Sequence, residues 1–270
     1  MQKSLFQYYG GKAYLISDIW NVIYSANKDK KITCVVDVFG GSGKVLLNKP
    51  PEWKVNAVYN DIDKRLYYTF KVLQDDSKRQ MLIDKWDLAF KHRLIFEEFK
   101  EVEEPEETTD IEIAFNLLYL VQNSYSGNTS NYRISIKDYR DPLSEAKNNI
   151  IHNSKYLKLW NIEYLDFEEL IKKYDSLTTF FYLDPPYIKA GKTYKFSFSE
   201  NDWLRLKTCM DNMQGRYLLN ESERDFKYIK ELFGEPKMVR EYVNHVTHNR
   251  ASFASGNGPS HRLEGFWYNF

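Results

Sequence analysis

Ile32-Thr33-Cys34-Val35-Val36-Asp37-Val38-Phe39-Gly40-Gly41-Ser42-Gly43-Lys44-Val45-Leu46-Leu47-Asn48 is the stretch whose reading decides the fold. The β-branched run predicts a short strand ending in an acid, the glycines a turn, and Lys44 onward a helix start. Glycine in such a turn adopts positive φ and lets the backbone approach a ligand. The turn is not a P-loop: the Gly-x-x-x-x-Gly-Lys-Ser/Thr pattern is absent, which disfavours triphosphate hydrolysis. Immediately downstream, Val55 to Tyr59 predicts a second strand that ends at Asn60-Asp61. A helical pattern follows through Leu66, Phe70 and Leu73. Strands alternating with helices imply a parallel sheet with right-handed crossovers.

The alternation then stops. Arg79 to Phe99 has the period of one long helix, with Leu82, Trp86, Phe90 and Leu94 near one face. An acidic stretch from Glu97 to Glu112 contains Pro105 and reads as a solvated loop. Ile111 to Gln122 predicts another helix, and Asn123 to Arg140 an irregular loop or hairpin with a short alternating run at Tyr132 to Ile136. The rhythm returns with a strand at Ile162 to Leu165 ending at Asp166 and a helix from Phe167 to Tyr174. A buried strand from Thr178 to Leu183 then enters Asp184-Pro185-Pro186-Tyr187. Helices near Asp202 to Met213 and Asp225 to Phe233 flank a strand at Arg216 to Leu219, and two terminal strands lie around Met238 to Val243 and Leu263 to Phe270. The expected fold class is therefore α/β. Residues 1–61 and 155–270 form the sheet domain, and 62–154 form an inserted, mainly helical unit.

Composition sets outer bounds. Hydrophobic residues make up 43% of the 270-residue chain, enough for a substantial core. Aromatic residues reach 16%, most of them expected in that core, with a minority able to stack on bases. Lys plus Arg balance Asp plus Glu at 38 each, so no global positive field draws the chain to nucleic acid; a local basic groove is still compatible. Cys34 and Cys209 are far apart and not at ligand spacing, which disfavours a disulfide framework and structural zinc and fits a reducing cytoplasm. No apolar signal core or membrane-length segment is evident, so a soluble cytoplasmic protein is expected.

Four predicted strand ends carry acids: Asp37, Asp61, Asp166 and Asp184. Ligands of open α/β sheets bind beyond the carboxyl ends of strands, so four such acids suggest one shared crevice. Asp61 is placed to accept hydrogen bonds from ribose hydroxyls or to cap the helix that follows. The Asp184 tetrapeptide is the sharpest signal. Its prolines stiffen the chain as it leaves a buried strand and fix both the carboxylate and the Pro185 carbonyl. Two such acceptors can hold an amino group by its two N–H bonds, and Tyr187 offers a face to a planar base.

In these motifs and their order, the chain resembles the Dam-type adenine-N6 DNA methyltransferases, the alpha group of the D12 class, from Phe6 to about Asn220. Tyr8-Tyr9-Gly10-Gly11-Lys12 is similar to the family's N-terminal cofactor motif, and Asp37 to Gly43 to its Phe-x-Gly-x-Gly loop. Asn60-Asp61 resembles the ribose-binding acid, Asp166-Phe167 the pair that reads the cofactor adenine, and Asp184-Pro185-Pro186-Tyr187 the catalytic tetrapeptide. The resemblance implies a Rossmann-like class I sheet that binds S-adenosylmethionine through Tyr8, Lys12, Asp37, Phe39, Gly41, Gly43, Asp61, Asp166, Phe167 and Asp184. It also implies methylation of a flipped adenine in double-stranded DNA, held by Asp184, Pro185 and Tyr187. No metal is needed, because the sulfonium already activates the leaving group.

The inserted unit sits where that family keeps its target-recognition domain. Asn123-Ser124-Tyr125-Ser126-Gly127-Asn128 resembles the loop that enters DNA, and Gln7 stands where GATC enzymes have a base-contacting Lys. The Asn-Val-Pro element and the Arg of those enzymes are missing, which leaves the target sequence open. Tyr125 or Tyr132 can fill the gap left by a flipped base or pack the loop. Arg133, Lys137 and Arg140 can reach phosphates or a guanine edge, or serve as surface charges. The stretch His245 to His261 is either a DNA-facing loop or a long connection. A restriction-endonuclease partner is compatible with this family, and a monomer is the default. The rivals are the same chemistry on RNA, N4 methylation of cytosine, which Asp184 disfavours, and a non-catalytic DNA-binding protein on the same fold.

Overall fold

A computed structural model describes residues 3–28, 31–101, 108–134, 142–186, 198–244 and 260–270. Lys137, Arg140, Tyr187 and most of the His245 to His261 stretch lie outside the described residues.

In chain order the elements are α1 (Ile16–Ala26), β1 (Cys34–Asp37), α2 (Lys44–Leu47), β2 (Asn56–Asn60), α3 (Lys64–Gln74), α4 (Asp76–Asp87), α5 (Arg93–Glu101), α6 (Asp110–Gln122), α7 (Pro142–Asn153), β3 (Trp160–Glu163), α8 (Phe167–Tyr174), β4 (Thr179–Leu183), α9 (Glu200–Asn212), β5 (Arg216–Ser222), α10 (Phe226–Phe233), β6 (Met238–Asn244) and β7 (Ser260–Tyr268). The seven strands form one sheet in the order β3-β2-β1-β4-β5-β7-β6. Pairing is parallel from β3 through β5, and β7 runs antiparallel to both β5 and β6. This is the Rossmann-like class I methyltransferase architecture expected from the sequence. Strand order reverses between β1 and β4, so a crevice opens beyond their carboxyl ends.

Both faces of the sheet are covered, which is why its parallel strands are apolar throughout. Val35, Tyr59, Phe180, Tyr182, Leu218 and Phe266 point to one face. They join α1 through Ile19, Trp20 and Ile23, α3 through Phe70 and Leu73, and α6 through Leu117, Leu118 and Val121. Val36, Val58, Phe181, Leu183 and Leu219 face the other way, against Leu170 of α8 and Trp203 and Leu206 of α9. The first core does not end at the sheet: Leu82 and Trp86 of α4, Phe96 of α5 and Ile150 of α7 continue it. Gln74 at the end of α3 donates to the Leu157 and Trp160 carbonyls at 2.9 Å each, tying that helix to the start of β3. Among the described residues, no helix is long and apolar enough to cross a membrane.

Helix starts follow local chemistry. Asp63 caps α3, and Ser199 with Asp202 and Thr109 with Glu112 form capping boxes at α9 and α6. One expectation fails. The single helix from Arg79 to Phe99 is two, α4 and α5, and α5 takes in part of the acidic stretch expected as loop. The break comes from across the fold: the Tyr119 hydroxyl of α6 donates to the Phe90 carbonyl (2.7 Å) and accepts from the His92 N–H (2.9 Å). Those backbone groups are then unavailable to a helical ladder. Phe90 and Leu94, expected on the buried face, are 79% and 65% exposed.

The turn after β1 is shaped by close approach. Gly43 has φ +64°, and a Cβ there would lie 2.9 Å from Phe70 and 3.1 Å from Trp160. Gly43→Ala combines left-handed strain with overpacking and is expected to cost roughly 1–3 kcal/mol, or about 2–10 °C in melting temperature. Calorimetry of the variant checks this; an unchanged melting point would show that the turn can relax away from Phe70.

Candidate active site

The crevice at the order reversal is built from strand ends. Asp37 closes β1, Asp61 follows β2 and Asp184 follows β4. These three acids line one cleft with Tyr8, Lys12, Phe39, Gly41, Tyr182, Pro185 and Pro186. In-register pairing of Asp37 with Tyr59 and Tyr182 brings the strand ends level. Asn60 then ties the loops, donating to the carbonyls of Val38 (3.0 Å) and Leu165 (3.1 Å) and accepting from the Leu165 N–H (2.9 Å). Asp61 accepts from the N–H of Gly41 (2.9 Å) and of Asp63 (2.8 Å), while the Tyr59 hydroxyl donates to the Gly41 carbonyl (2.7 Å). The glycine loop is thus held from both sides. Of the two roles open to Asp61 in the sequence, the helix cap belongs instead to Asp63.

Lys12 enters from the N-terminal segment and donates to both oxygens of Asp184, at 2.6 and 2.9 Å. Side-chain exposure is 4% for Lys12 and 15% for Asp184, so this ion pair is largely desolvated. Burial pushes the Asp184 carboxyl up, and the Lys12 ammonium draws it back down. Asp37 is raised well above the usual carboxylate range by burial, then by the charges of Asp184 and Asp61. Asp61 is pushed up to about 6, again mainly by burial.

Behind the pair, Glu264 of β7 accepts from the Tyr14 hydroxyl (2.9 Å) and the Asn220 amide (3.1 Å). Glu221 of β5 is fully buried and accepts from the Ser222 N–H (2.9 Å). Burial raises both, the Asp184 charge adds to it, and Lys12 opposes it. One ammonium therefore serves several carboxylates, and the cleft favours a cationic ligand. Asp37 Oδ1 is buried with no hydrogen-bond partner among the described residues, an acceptor suited to such a ligand. Gly41, at φ +50°, also lines the cleft, and a Cβ there would lie 3.5 Å from the Tyr8 ring. These features fit the ammonium, sulfonium and ribose of S-adenosylmethionine.

A second cavity adjoins the first through Phe39, Ile62 and Pro186 and is lined by Asp166, Phe167 and Phe198. Phe39 lies 6.0 Å from Phe167 and 5.6 Å, edge-on, from Phe198. Asp166 caps α8 through the Glu168 N–H (3.0 Å) and pairs with Arg205 of α9 at 2.6 Å. The Arg205 guanidinium also lies 4.7 Å from the Phe167 ring centroid. The result is an apolar slot with a held carboxylate at its rim, a chemistry that suits a purine.

Over residues 8–249 the chain matches the family of D12 class N6 adenine-specific DNA methyltransferases. The chain belongs to that family. A relative, the Type II methyltransferase M.MjaIII of Methanocaldococcus jannaschii, is 25% identical over 228 residues, covering 76% of this chain and 78% of that protein. For this D12-class chain, the family supports adenine-specific DNA methylation.

On the side expected to face DNA, the structure divides the residues. Tyr125 and Gln7 are exposed, and Asn128 folds its own turn, accepting from the N–H groups of Ser130 (3.0 Å) and Asn131 (3.3 Å). Asn123 is fully buried; its side-chain amide donates to the Tyr119 carbonyl (2.9 Å) and its backbone carbonyl accepts from the Arg133 N–H (2.7 Å). Tyr132 is half-buried, 5.4 Å edge-on from Phe96. Gly43 lies against Phe70 and Trp160 and does not line the cleft. Sequence reasoning missed Lys44 and Tyr182 in the cleft wall, Glu221 and Glu264 behind it, and Arg205 beside Asp166. The first two adjoin legible motifs; Glu221, Glu264 and Arg205 come from distant elements and carry no local signal.

Lys12→Met tests the electrostatics. Without the ammonium, Asp184 rises further in the folded state. A raised carboxyl stabilises the fold below its unfolded value of about 3.9 and loses that contribution as pH climbs through the folded value. The variant is expected to lose roughly 3 kcal/mol at alkaline pH and clearly less in mild acid. Melting curves of both proteins across pH check this. A gap constant with pH would mean that Lys12 acts through packing alone.

Proposed function

We propose that this protein transfers a methyl group from S-adenosylmethionine to the N6 amine of an adenine flipped out of a specific short sequence in double-stranded DNA. The observation that carries this reading is the buried Lys12–Asp184 pair at the mouth of a carboxylate-lined cleft, set at the reversal of strand order. When bound, the cofactor would supply an electrophilic methyl on an already positive sulfur. In this reading Asp37 and Asp61 receive its cationic and hydroxyl groups, with Tyr8, Phe39 and Gly41 around them. Asp166 and Phe167 take its adenine.

The remaining chemistry falls to Asp184 and the backbone after it. Lys12 opposes the protonation that burial favours at Asp184. An anionic Asp184 and the Pro185 carbonyl accept the two N–H bonds of the target amine, which draws the nitrogen lone pair out of ring conjugation. Positioning and fixed charge then supply most of the acceleration. Extruding the base costs roughly a few kcal/mol of stacking and pairing, which contacts around the empty site must offset. We assign target recognition to 62–154, with Gln7 contributing from the N-terminal segment. Tyr187 is assigned the stacking face, and Lys137 a place on the DNA side with Tyr125 and Arg133.

Single-molecule sequencing of DNA from a methylation-deficient bacterium expressing the chain tests the proposal. Modified adenines are expected in one short motif, and Asp184→Ala should abolish them. Labelled methyl appearing in RNA rather than DNA would transfer the chemistry to the other nucleic acid. Unmodified DNA and RNA, from a protein shown to bind S-adenosylmethionine, would refute the reading.

A further inference from the structure

The connector between α4 and α5 has a property that burial does not explain. Leu88, Phe90 and Leu94 are largely exposed, and between them stand Lys91, His92 and Arg93, all exposed. From Leu88 to Phe96 the sequence holds no acid. Of the flanking acids, Asp87 pairs with Lys147 and Glu97 with Lys100. The connector is also held in place, since Tyr119 grips its backbone at Phe90 and His92. A fixed, basic, apolar-edged segment differs from a solvated surface loop, whose charges are unconstrained.

Its neighbours show which way it faces. The Arg93 guanidinium lies 5.3 Å and the Lys91 ammonium 5.9 Å from the Tyr132 ring centroid. Tyr132 pairs across Ser124 in an antiparallel bridge, closing the loop that runs from Asn123 to Arg133. At the tip of that loop Gly127, at φ +71°, sits on the N-terminal segment, where a Cβ would lie 2.9 Å from the Gln7 carbonyl oxygen and 3.0 Å from Tyr8 Cα. Tyr8 lines the cleft beside Asp184. A continuous packed path therefore runs from the cleft mouth through the loop to Lys91 and Arg93, with Arg133 along the way.

We propose that Leu88–Leu94 is a phosphate-gripping edge of the DNA interface. Lys91 and Arg93 contact the duplex backbone a short way from the flipped base, while Phe90 and Leu94 shield those groups from water. The proposal rests on the DNA reading above. Phosphate contacts position the duplex and carry no sequence information, so this edge should set affinity and register and leave the motif unchanged.

The test is the salt dependence of binding. A short fluorescein-labelled duplex of mixed sequence is titrated with wild-type protein and with Lys91→Gln/Arg93→Gln at several KCl concentrations. Each phosphate that is no longer neutralised should reduce the slope of log K against log salt by about 0.9. The double variant is therefore expected to flatten the slope by about 1–2 and to weaken binding most at low salt. Its melting temperature and S-adenosylmethionine affinity should match wild type, because neither side chain is buried or near the cleft lining. A slope equal to wild type overturns the proposal, even if affinity falls, because loosening of Tyr132 alone would do that. Wild-type protein that binds no duplex at any salt would overturn both this proposal and the DNA reading, whereas a flat result confined to the comparison of slopes overturns only this one.

Discussion

Lys12 reaches a carboxylate that the fold has largely removed from water, and much of the molecule is arranged so that this contact can exist. Asp37, Asp61 and Asp184 converge because parallel strands in register end together. Left alone, they would take up protons as their burial dictates, and Asp184 would lose the charge that makes it a useful acceptor. A single ammonium changes that balance for Asp184, and to a lesser degree for Glu221 and Glu264 behind it. The pair is not a device for stability, since burying two charges costs about as much as their attraction returns. Its consequence is that Lys12 opposes the rise that burial imposes on the Asp184 carboxyl.

The cleft depends on aromatic packing beneath the glycine loop. Tyr59 and Phe70 have ring centroids 4.1 Å apart, with Trp160 stacked alongside, and the Tyr59 hydroxyl holds the Gly41 carbonyl. The same rings fill the space where a Gly43 side chain would go. Since Phe70 sits on α3 and Trp160 opens β3, the helices between those elements are joined to the loop through one continuous apolar cluster. Movement in that helical region has a packed route to the cleft floor, through side chains that interdigitate with few gaps.

The parts of the fold that were legible in the sequence are those decided over a few neighbouring residues. The run from Cys34 to Gly43 needs only β-branched residues and glycines to declare a strand and a turn. Legibility fails where a distant group intervenes. Arg79 to Phe99 has a helical period, yet Tyr119 claims the backbone at Phe90 and His92 and breaks it. Asn123 reads as a loop residue that could meet a partner, yet its amide is committed to the end of α6. Arg205 reaches Asp166 from 39 positions away, a distance at which no local pattern operates.

The two halves of the site differ in the same respect. Asp184 and the Pro185 carbonyl are strand-end groups, fixed by register and proline stiffness, so a short motif is enough to specify them. The surface beside them is assembled from the N-terminal segment, the Asn123 to Arg133 loop and the α4–α5 connector, three pieces related only through tertiary contact. This difference explains why Asp184 can be read from the sequence when the surface beside it cannot.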